Sequence, residues 1–297
     1  MISTKCPICE TQNNSKLVYL STIDKNSLSS EIFSARRFPD RRYNQWVRCN
    51  ECKLLRSDPI EDIDFEVLYV NSKFNYQSET NGLKKTYIQI VDRALGENYQ
   101  KNSLFEVGGG NGFFLEAAKD FGFKKITGIE PSKKAIEEAR YDIKPRMIAS
   151  MMHANILKSK TYQVGVMFHV LDHLPDPVTT LHACYDALES NGKFIVAVHN
   201  EMSWSARLLG KKSPIIDVEH TYLFNKKTAE ALFRKVGFVN IKSQSYSNSY
   251  SLSYILQLIP FFKTFRKWIL QSRFNYILAR LKISAPLGNI WVCGTKP

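Results

Sequence analysis

The last quarter of this chain lacks acid. After Glu230 there is no aspartate or glutamate, while Arg234, Lys235, Lys242, Lys263, Arg266, Lys267, Arg273, Arg280, Lys282 and Lys296 supply ten positive charges of a formal net +13. That asymmetry favours an anionic partner at this end, such as a phosphate-bearing substrate, an acidic lipid surface or nucleic acid. A plain solvated basic face accounts for it equally well. Also missing is any apolar run near the ~20 residues a spanning helix needs, the nearest being broken by Pro260, Lys263 and Arg266. No leading segment combines basic residues, an apolar stretch and a small-residue cleavage site. The expectation is a cytoplasmic protein, at most peripheral to the inner membrane surface. Internal repeats and low-complexity tracts are absent as well. With 297 residues and 44% hydrophobic content, there is room for one substantial core and one small accessory unit.

Six cysteines are present. Cys184 and Cys293 stand alone in apolar surroundings and read as small core residues. The other four form Cys6-Pro7-Ile8-Cys9 and Cys49-Asn50-Glu51-Cys52. Each C-x-x-C places two thiolates on one tight turn, and two such turns complete a tetrahedral zinc shell. Disulfides are unusual in the cytosol, and a redox pair needs only one C-x-x-C. Zinc is therefore expected at Cys6, Cys9, Cys49 and Cys52. A shell of four sulfurs is closed, so the ion's role is structural.

From Lys101 onward, short β-type runs alternate with helical stretches, the pattern of a βαβ sheet. Strands are expected at Ser103–Val107, Lys125–Glu130, Tyr162–Phe168, 194–199 after an Asn191-Gly192 turn, 238–246 and 289–294. Helices are expected at 113–121, at 132–140 with Ser132 as N-cap, at about 177–189 and at 226–236. The chain divides into a zinc-knuckle region (1–58), a helical linker (59–100) and an α/β domain (101–297) with a helical insertion at about 251–283. In that insertion Phe261, Phe262, Phe265, Trp268 and Ile269 recur at helical spacing, with Lys263, Arg266 and Lys267 between them. A helical cap over the active site, using its apolar face as core, is favoured over a basic helix lying on a membrane.

The run Glu106-Val107-Gly108-Gly109-Gly110-Asn111-Gly112 falls where a strand ends and a helix begins. Glycines there permit a tight turn and close backbone approach to a ligand, and the helix N-terminus offers unpaired N–H groups. Glu130 closes the next strand, about twenty residues on, where a carboxylate accepts ribose hydroxyls. On these residues, and on Phe168-His169-Val170-Leu171-Asp172-His173-Leu174-Pro175-Asp176-Pro177, the sequence resembles the class I S-adenosylmethionine-dependent methyltransferases of the methyltransferase-23 kind. The second run is similar to that family's V-L-E-H-x-x-D-P stretch after strand four. The resemblance implies a Rossmann-like seven-stranded sheet preceded by a small zinc-knuckle unit. It assigns Glu106, Gly108, Gly110, Gly112 and Glu130 to S-adenosylmethionine, with His169 also on the cofactor side. Gly109, Asn111 and Gln163 depart from the usual pattern, and no residue is assigned to adenine. The cysteine pairs resemble the segment that precedes the catalytic domain in sugar C-methyltransferases, with Glu10 and Lys53 where glycine often follows the second cysteine.

Methyl transfer requires alignment and, for a hydroxyl or carbon acid, removal of a proton. Histidine suits that task because its pKa lies near neutrality; the candidates are His169, His173, His199 and His220. Asp217-Val218-Glu219-His220-Thr221-Tyr222-Leu223-Phe224 is similar to the D-E-H-x-x-x-F stretch of the sugar C-methyltransferases. That match implies His220 as base with Glu219 polarising or orienting, while His173, in the stretch after strand four, is a catalytic candidate by its place near the cofactor. No open histidine–carboxylate ligand cluster shows in the spacing, which argues against metal-dependent catalysis. The reading is a methyltransferase acting on a small molecule, with a sugar, nucleotide-sugar or lipid-linked glycan as acceptor. An RNA methyltransferase and an inactive cofactor-fold binding module are the alternatives.

Overall fold

The computed structural model describes residues 2–23, 42–60, 80–97, 99–253 and 280–297, with Tyr276 and Leu278. The first part of the expected linker and most of the basic insertion lie outside the described residues. Among those described, no helix is long and apolar enough to cross a membrane.

The chain opens with three short antiparallel strands: β1 (Ser15–Tyr19), β2 (Trp46–Cys49) and β3 (Leu55–Ser57). Helix α1 (Thr80–Leu95) leads to β4 (Ser103–Val107), α2 (Phe113–Asp120), β5 (Lys125–Glu130), α3 (Lys133–Glu137), β6 (Met147–Ala149) and β7 (Tyr162–Phe168). Then follow α4 (Pro177–Ala187), β8 (Leu188–His199), α5 (Trp204–Leu209), β9 (Tyr222–Leu223), α6 (Lys226–Val236), β10 (Val239–Ser251) and β11 (Lys282–Thr295).

The large sheet has seven strands in the order β10-β11-β8-β7-β4-β5-β6. Strands β4 to β8 run parallel, and β11 is antiparallel to both its neighbours. Alternation along the strands sorts the core into two layers. Phe105, Val107, Phe194, Val196, Val198, Ile290 and Val292 face α4 and α6, meeting Leu181, Cys184, Leu232 and Phe233. Leu104, Val164, Val166, Ile195, Ala197, Trp291 and Cys293 face α1 and α2 on the other side. There Tyr87 stacks on Phe168, with ring centroids 4.1 Å apart and 13° between planes. Each such buried side chain contributes roughly 1.5–3 kcal/mol. Cys184 and Cys293 are core residues, as expected. Helix α1 belongs to this layer; Lys193 Nζ donates to the Ala94 and Leu95 carbonyls at its C-terminus, at 3.0 and 2.9 Å.

Two expectations are corrected. Asn191-Gly192 is not a turn before a strand, because β8 begins at Leu188 and runs through it. The chain bulges there, with Asn191 at φ 64° and a register shift between Tyr162↔Leu188 and Val164↔Lys193. The bulge is tolerated because its backbone groups pair with Lys296, at 2.8 and 2.9 Å. The helix expected over 132–140 is shorter, spanning Lys133–Glu137, although Ser132 does cap it by accepting from the Ala135 N–H.

The cysteine-bearing strands are tied into the rest of the chain. β9 adds to their edge through Leu55↔Leu223 and Arg56↔Tyr222, making the four-stranded sheet β1-β2-β3-β9. Trp46, Tyr43, Leu55, Ile216 and Leu223 pack together at this junction. Arg56 is fully buried there; its guanidinium donates to Thr4, Ser15 and Asp58. Arg48 on β2 makes a two-pronged bridge to Glu201 beyond β8, both contacts at 3.0 Å.

Candidate active site

The sheet order reverses beside β4, and open α/β sheets bind ligands at the strand ends there. The glycine loop occupies that point. Gly108, Gly110 and Gly112 have φ of 74°, 53° and 74°, values that L side chains rarely adopt. A Cβ on Gly108 would lie 2.3 Å from Val170 Cγ2, and one on Gly112 2.7 Å from Ile143 Cγ2. The loop is pinned to β5, where the Ile129 carbonyl accepts from the Gly108 and Gly109 N–H groups. Helix α2 then starts without a side-chain cap, leaving its first N–H groups available to a ligand.

Two acids flank the loop. Glu130 Oε2 accepts from the Gly110 N–H and its Oε1 from the Ser132 N–H, both at 2.9 Å. Burial raises its pKa and these two bonds partly offset that. Glu106 is buried, and its Oε2 has no hydrogen-bond partner. Burial, and secondarily the nearby Glu130 charge, pushes its pKa well above the usual carboxylate range. An orphaned carboxylate oxygen beside a glycine loop fits the cationic methionine end of S-adenosylmethionine, and Glu130 fits its ribose. The residues present therefore match the cofactor that the resemblance implies.

A second group assembles at the neighbouring strand ends. After β7 the chain turns at His169, whose φ is 54°, and the Val170 side chain abuts Gly108 as noted above. Two residues further, Asp172 is fully buried. Its main-chain carbonyl accepts from the Thr221 and Tyr222 N–H groups, at 2.8 and 3.1 Å, which draws His220 alongside. Ser57 Oγ, from β3, donates to the His220 carbonyl at 3.1 Å. His199 arrives from the end of β8. The rings of His169 and His199, of His173 and His220, and of His199 and His220 are 4.6, 4.6 and 5.2 Å apart. His173 Nε2 is 3.8 Å from Asp172 Oδ1, and His220 Nε2 is 3.9 Å from Asp172 Oδ2. His173 Nδ1 faces the Glu219 carbonyl at 3.1 Å, His199 Nδ1 the Asn289 side-chain oxygen at 3.0 Å, and His169 Nε2 the Tyr246 hydroxyl at 2.9 Å.

Burial lowers the pKa of His199 and carries that of His220 well below its ordinary value. For Asp172, burial opposes ionisation, yet the surrounding imidazoles, His173 foremost, favour it and bring the pKa to about 2.

The structure thus groups His169, His173 and His220 with His199. It also overturns the expectation that no open histidine–carboxylate cluster exists: one ligand atom each from Asp172, His173 and His220 lie within 4.8 Å of one another, as do those of His169, Asp172 and His199. The spacing concealed this because three separate segments supply the donors. Glu219 meets the cluster through its main-chain carbonyl; the carboxylate grouped with His220 is that of Asp172. The signal for Asp172 was its place at the acid of the stretch after strand four.

The four cysteine sulfurs also lie within 4.8 Å of one another, with Cys6 and Cys52 at 3.4 Å. With Zn–S bonds of ~2.3 Å, a tetrahedral ion separates its sulfurs by roughly 3.8 Å, so the donor set fits zinc. Glu10 and Lys53, standing where glycine is common, adopt φ of 60° and 66°. Their N–H groups return to the Cys6 and Cys49 carbonyls, so both knuckles share one geometry.

A seven-stranded sheet of this order, with a glycine cradle and paired buried acids at its switch point, defines the class: the S-adenosylmethionine-dependent methyltransferases. Residues 77–243, more than half of the chain, match the family model described as a methyltransferase domain, and the chain belongs to that family. It is 30% identical over 132 residues to the ubiquinone biosynthesis O-methyltransferase of Nitrosospira multiformis, covering 41% of this chain and 51% of that relative. The chain thus spans about half the length of this curated relative. Among solved structures, it is similar to an S-adenosylmethionine-dependent methyltransferase of Archaeoglobus fulgidus: TM-score 0.51, 17% identity, 73% of this chain and 95% of that one. Similar in fold too is a Thermotoga maritima methyltransferase named as a possible histamine N-methyltransferase: TM-score 0.50, 19% identity, 73% and 91% coverage.

Proposed function

We propose that this protein transfers the methyl group of S-adenosylmethionine to a hydroxyl-bearing small molecule, with a sugar, nucleotide-sugar or lipid-linked glycan as the first acceptor class. The observation that carries the reading is the continuity of the loop after β7. Val170 abuts Gly108 of the cofactor cradle, while Asp172 and His173, two and three residues on, belong to the histidine cluster.

Bound S-adenosylmethionine supplies an electrophilic methyl carbon. The chain's work is then to hold, align and accept a proton. Glu106, Gly108, Gly110, Gly112 and Glu130 hold the cofactor, with His169 at the seam between cradle and cluster. On the acceptor side, His220 and His173 take up the acceptor's proton. Burial keeps His220 neutral, the form that accepts one, and Glu219 orients His173 through its carbonyl. Oxygen as the accepting atom follows the relative named as an O-methyltransferase. A sugar follows the Glu219-His220 pair and the cysteine pairs, and an anionic or lipid-linked form follows the basic final quarter, whose contact is with substrate or with a membrane surface. Zinc at Cys6, Cys9, Cys49 and Cys52 keeps a structural role.

The test supplies methyl-labelled S-adenosylmethionine and fractionated host extract to the purified protein. Label in a nucleotide-sugar or lipid-linked glycan fraction supports the reading. Label in RNA overturns the acceptor class, and absence of both label and calorimetric cofactor binding leaves only a binding module. His220→Ala should slow transfer by about a hundredfold with cofactor affinity unchanged.

A further inference from the structure

We propose that Asp172, His173 and His220 bind one divalent first-row transition ion, at a site separate from the cysteine cluster. Asp172 is fully buried, and neither of its carboxylate oxygens has a hydrogen-bond partner. A buried carboxylate left in this state is costly. Two imidazole nitrogens lie 3.8 and 3.9 Å from them, beyond hydrogen-bond reach. With bonds of ~2.1 Å, donors on one ion sit roughly 3.0–3.6 Å apart, so the three groups must draw together by a few tenths of an ångström to share it.

His173 has the surroundings of a ligand histidine, whereas His220 Nδ1 has no hydrogen-bond partner among the described residues. His173 Nδ1 faces a main-chain carbonyl, which selects the tautomer with its proton on Nδ1 and leaves the Nε2 lone pair toward Asp172. Such an outer partner is usual for metal-bound imidazole. Two imidazoles and a carboxylate select zinc, iron, cobalt or manganese ahead of thiolate-seeking ions. Three protein ligands leave a coordination position open, the mark of a site that receives a further oxygen ligand. Use of that position by the acceptor hydroxyl rests on the function proposed above; binding of the ion does not. Ion and proton compete for the His173 and His220 lone pairs, so in the loaded protein both act as ligands, and their role as proton acceptors belongs to the ion-free protein.

Cobalt(II) is the probe. The full-length protein first receives zinc to fill the four cysteines, and cobalt is then titrated while the visible spectrum is recorded. The expected result is one further equivalent with d–d bands and no thiolate-to-cobalt charge-transfer band. Its affinity should fall by about tenfold or more in Asp172→Asn and in His173→Ala, the latter a partly exposed position whose truncation spares the core. Circular dichroism and cofactor calorimetry check the fold of each variant. No cobalt beyond the cysteine site, or cobalt binding unchanged in both variants, overturns the proposal. Cofactor binding with no second ion defeats this inference alone; a second ion with no cofactor binding defeats the enzymatic reading alone.

Discussion

The four cysteines come in two pairs, each on one turn, whereas Asp172, His173, His199 and His220 come from three separate segments over a similar stretch of sequence. Two short turns beside the small antiparallel sheet suffice to build the cysteine cluster. The histidine cluster exists because parallel neighbours β7 and β8 bring two of these segments together, while the Asp172 carbonyl and Ser57 hold the third. The closed shell has no place for a reactant. The open one stands beside the glycine loop, so the group proposed to carry chemistry is the one that depends on the large sheet.

The sharpest way to break this contrast is Cys49→Ser. It should cost more than about 3 kcal/mol and also slow transfer, because β3 and Ser57 support His220. An unchanged melting temperature in thermal denaturation would mean that the cysteine sheet stands without its ion. Next in size, Glu130→Ala should weaken S-adenosylmethionine binding by about 1–3 kcal/mol through lost charge-assisted hydrogen bonds, with metal content unchanged; calorimetry reads both.

Glu106→Gln should do the opposite to stability. The folded pKa of Glu106 is raised, so its favourable contribution is complete below the unfolded value near 4.5 and is lost as pH rises through the folded value. The cofactor-free variant should accordingly melt higher than the parent at neutral pH and equal to it in acid, while binding cofactor less well. Matching melting curves at both pH values would show that Glu106 carries no such penalty. The smallest effect is expected of Ser57→Ala, about 1 kcal/mol or less in stability. Its transfer rate should drop measurably at constant cofactor affinity, since the lost bond holds the His220 carbonyl. An unaltered rate would uncouple the two sheets.

Strands Ser103–Val107, Lys125–Glu130 and Tyr162–Phe168 were legible to the residue, because buried parallel strands are short apolar runs with clear breaks. Helix Lys226–Val236 was equally plain, and the structure caps it with Asn225 and ends it at Gly237. The glycine loop at the end of β4 was legible because its residues are contiguous. The bulge at Asn191-Gly192 was not, since the pairing that absorbs it comes from Lys296 at the far end of the chain. Nor was the β3–β9 pairing, as a two-residue strand carries no periodicity. The role of Asp172 was hidden for a related reason: a lone acid in a motif acquires meaning only when His220 is folded against it.

The β3–β9 pairing also sets an order of events. Ser57 and His220 are 163 residues apart, and closing so long a loop is slow even though its entropic cost grows only logarithmically. As the chain leaves the ribosome, the cysteine unit emerges early, with the edge of β3 unpaired until β4, β5, β7 and β8 have been made. The His220 side of the cluster thus waits on β9, and a chain halted before Leu223 presents an open strand edge to other copies of itself.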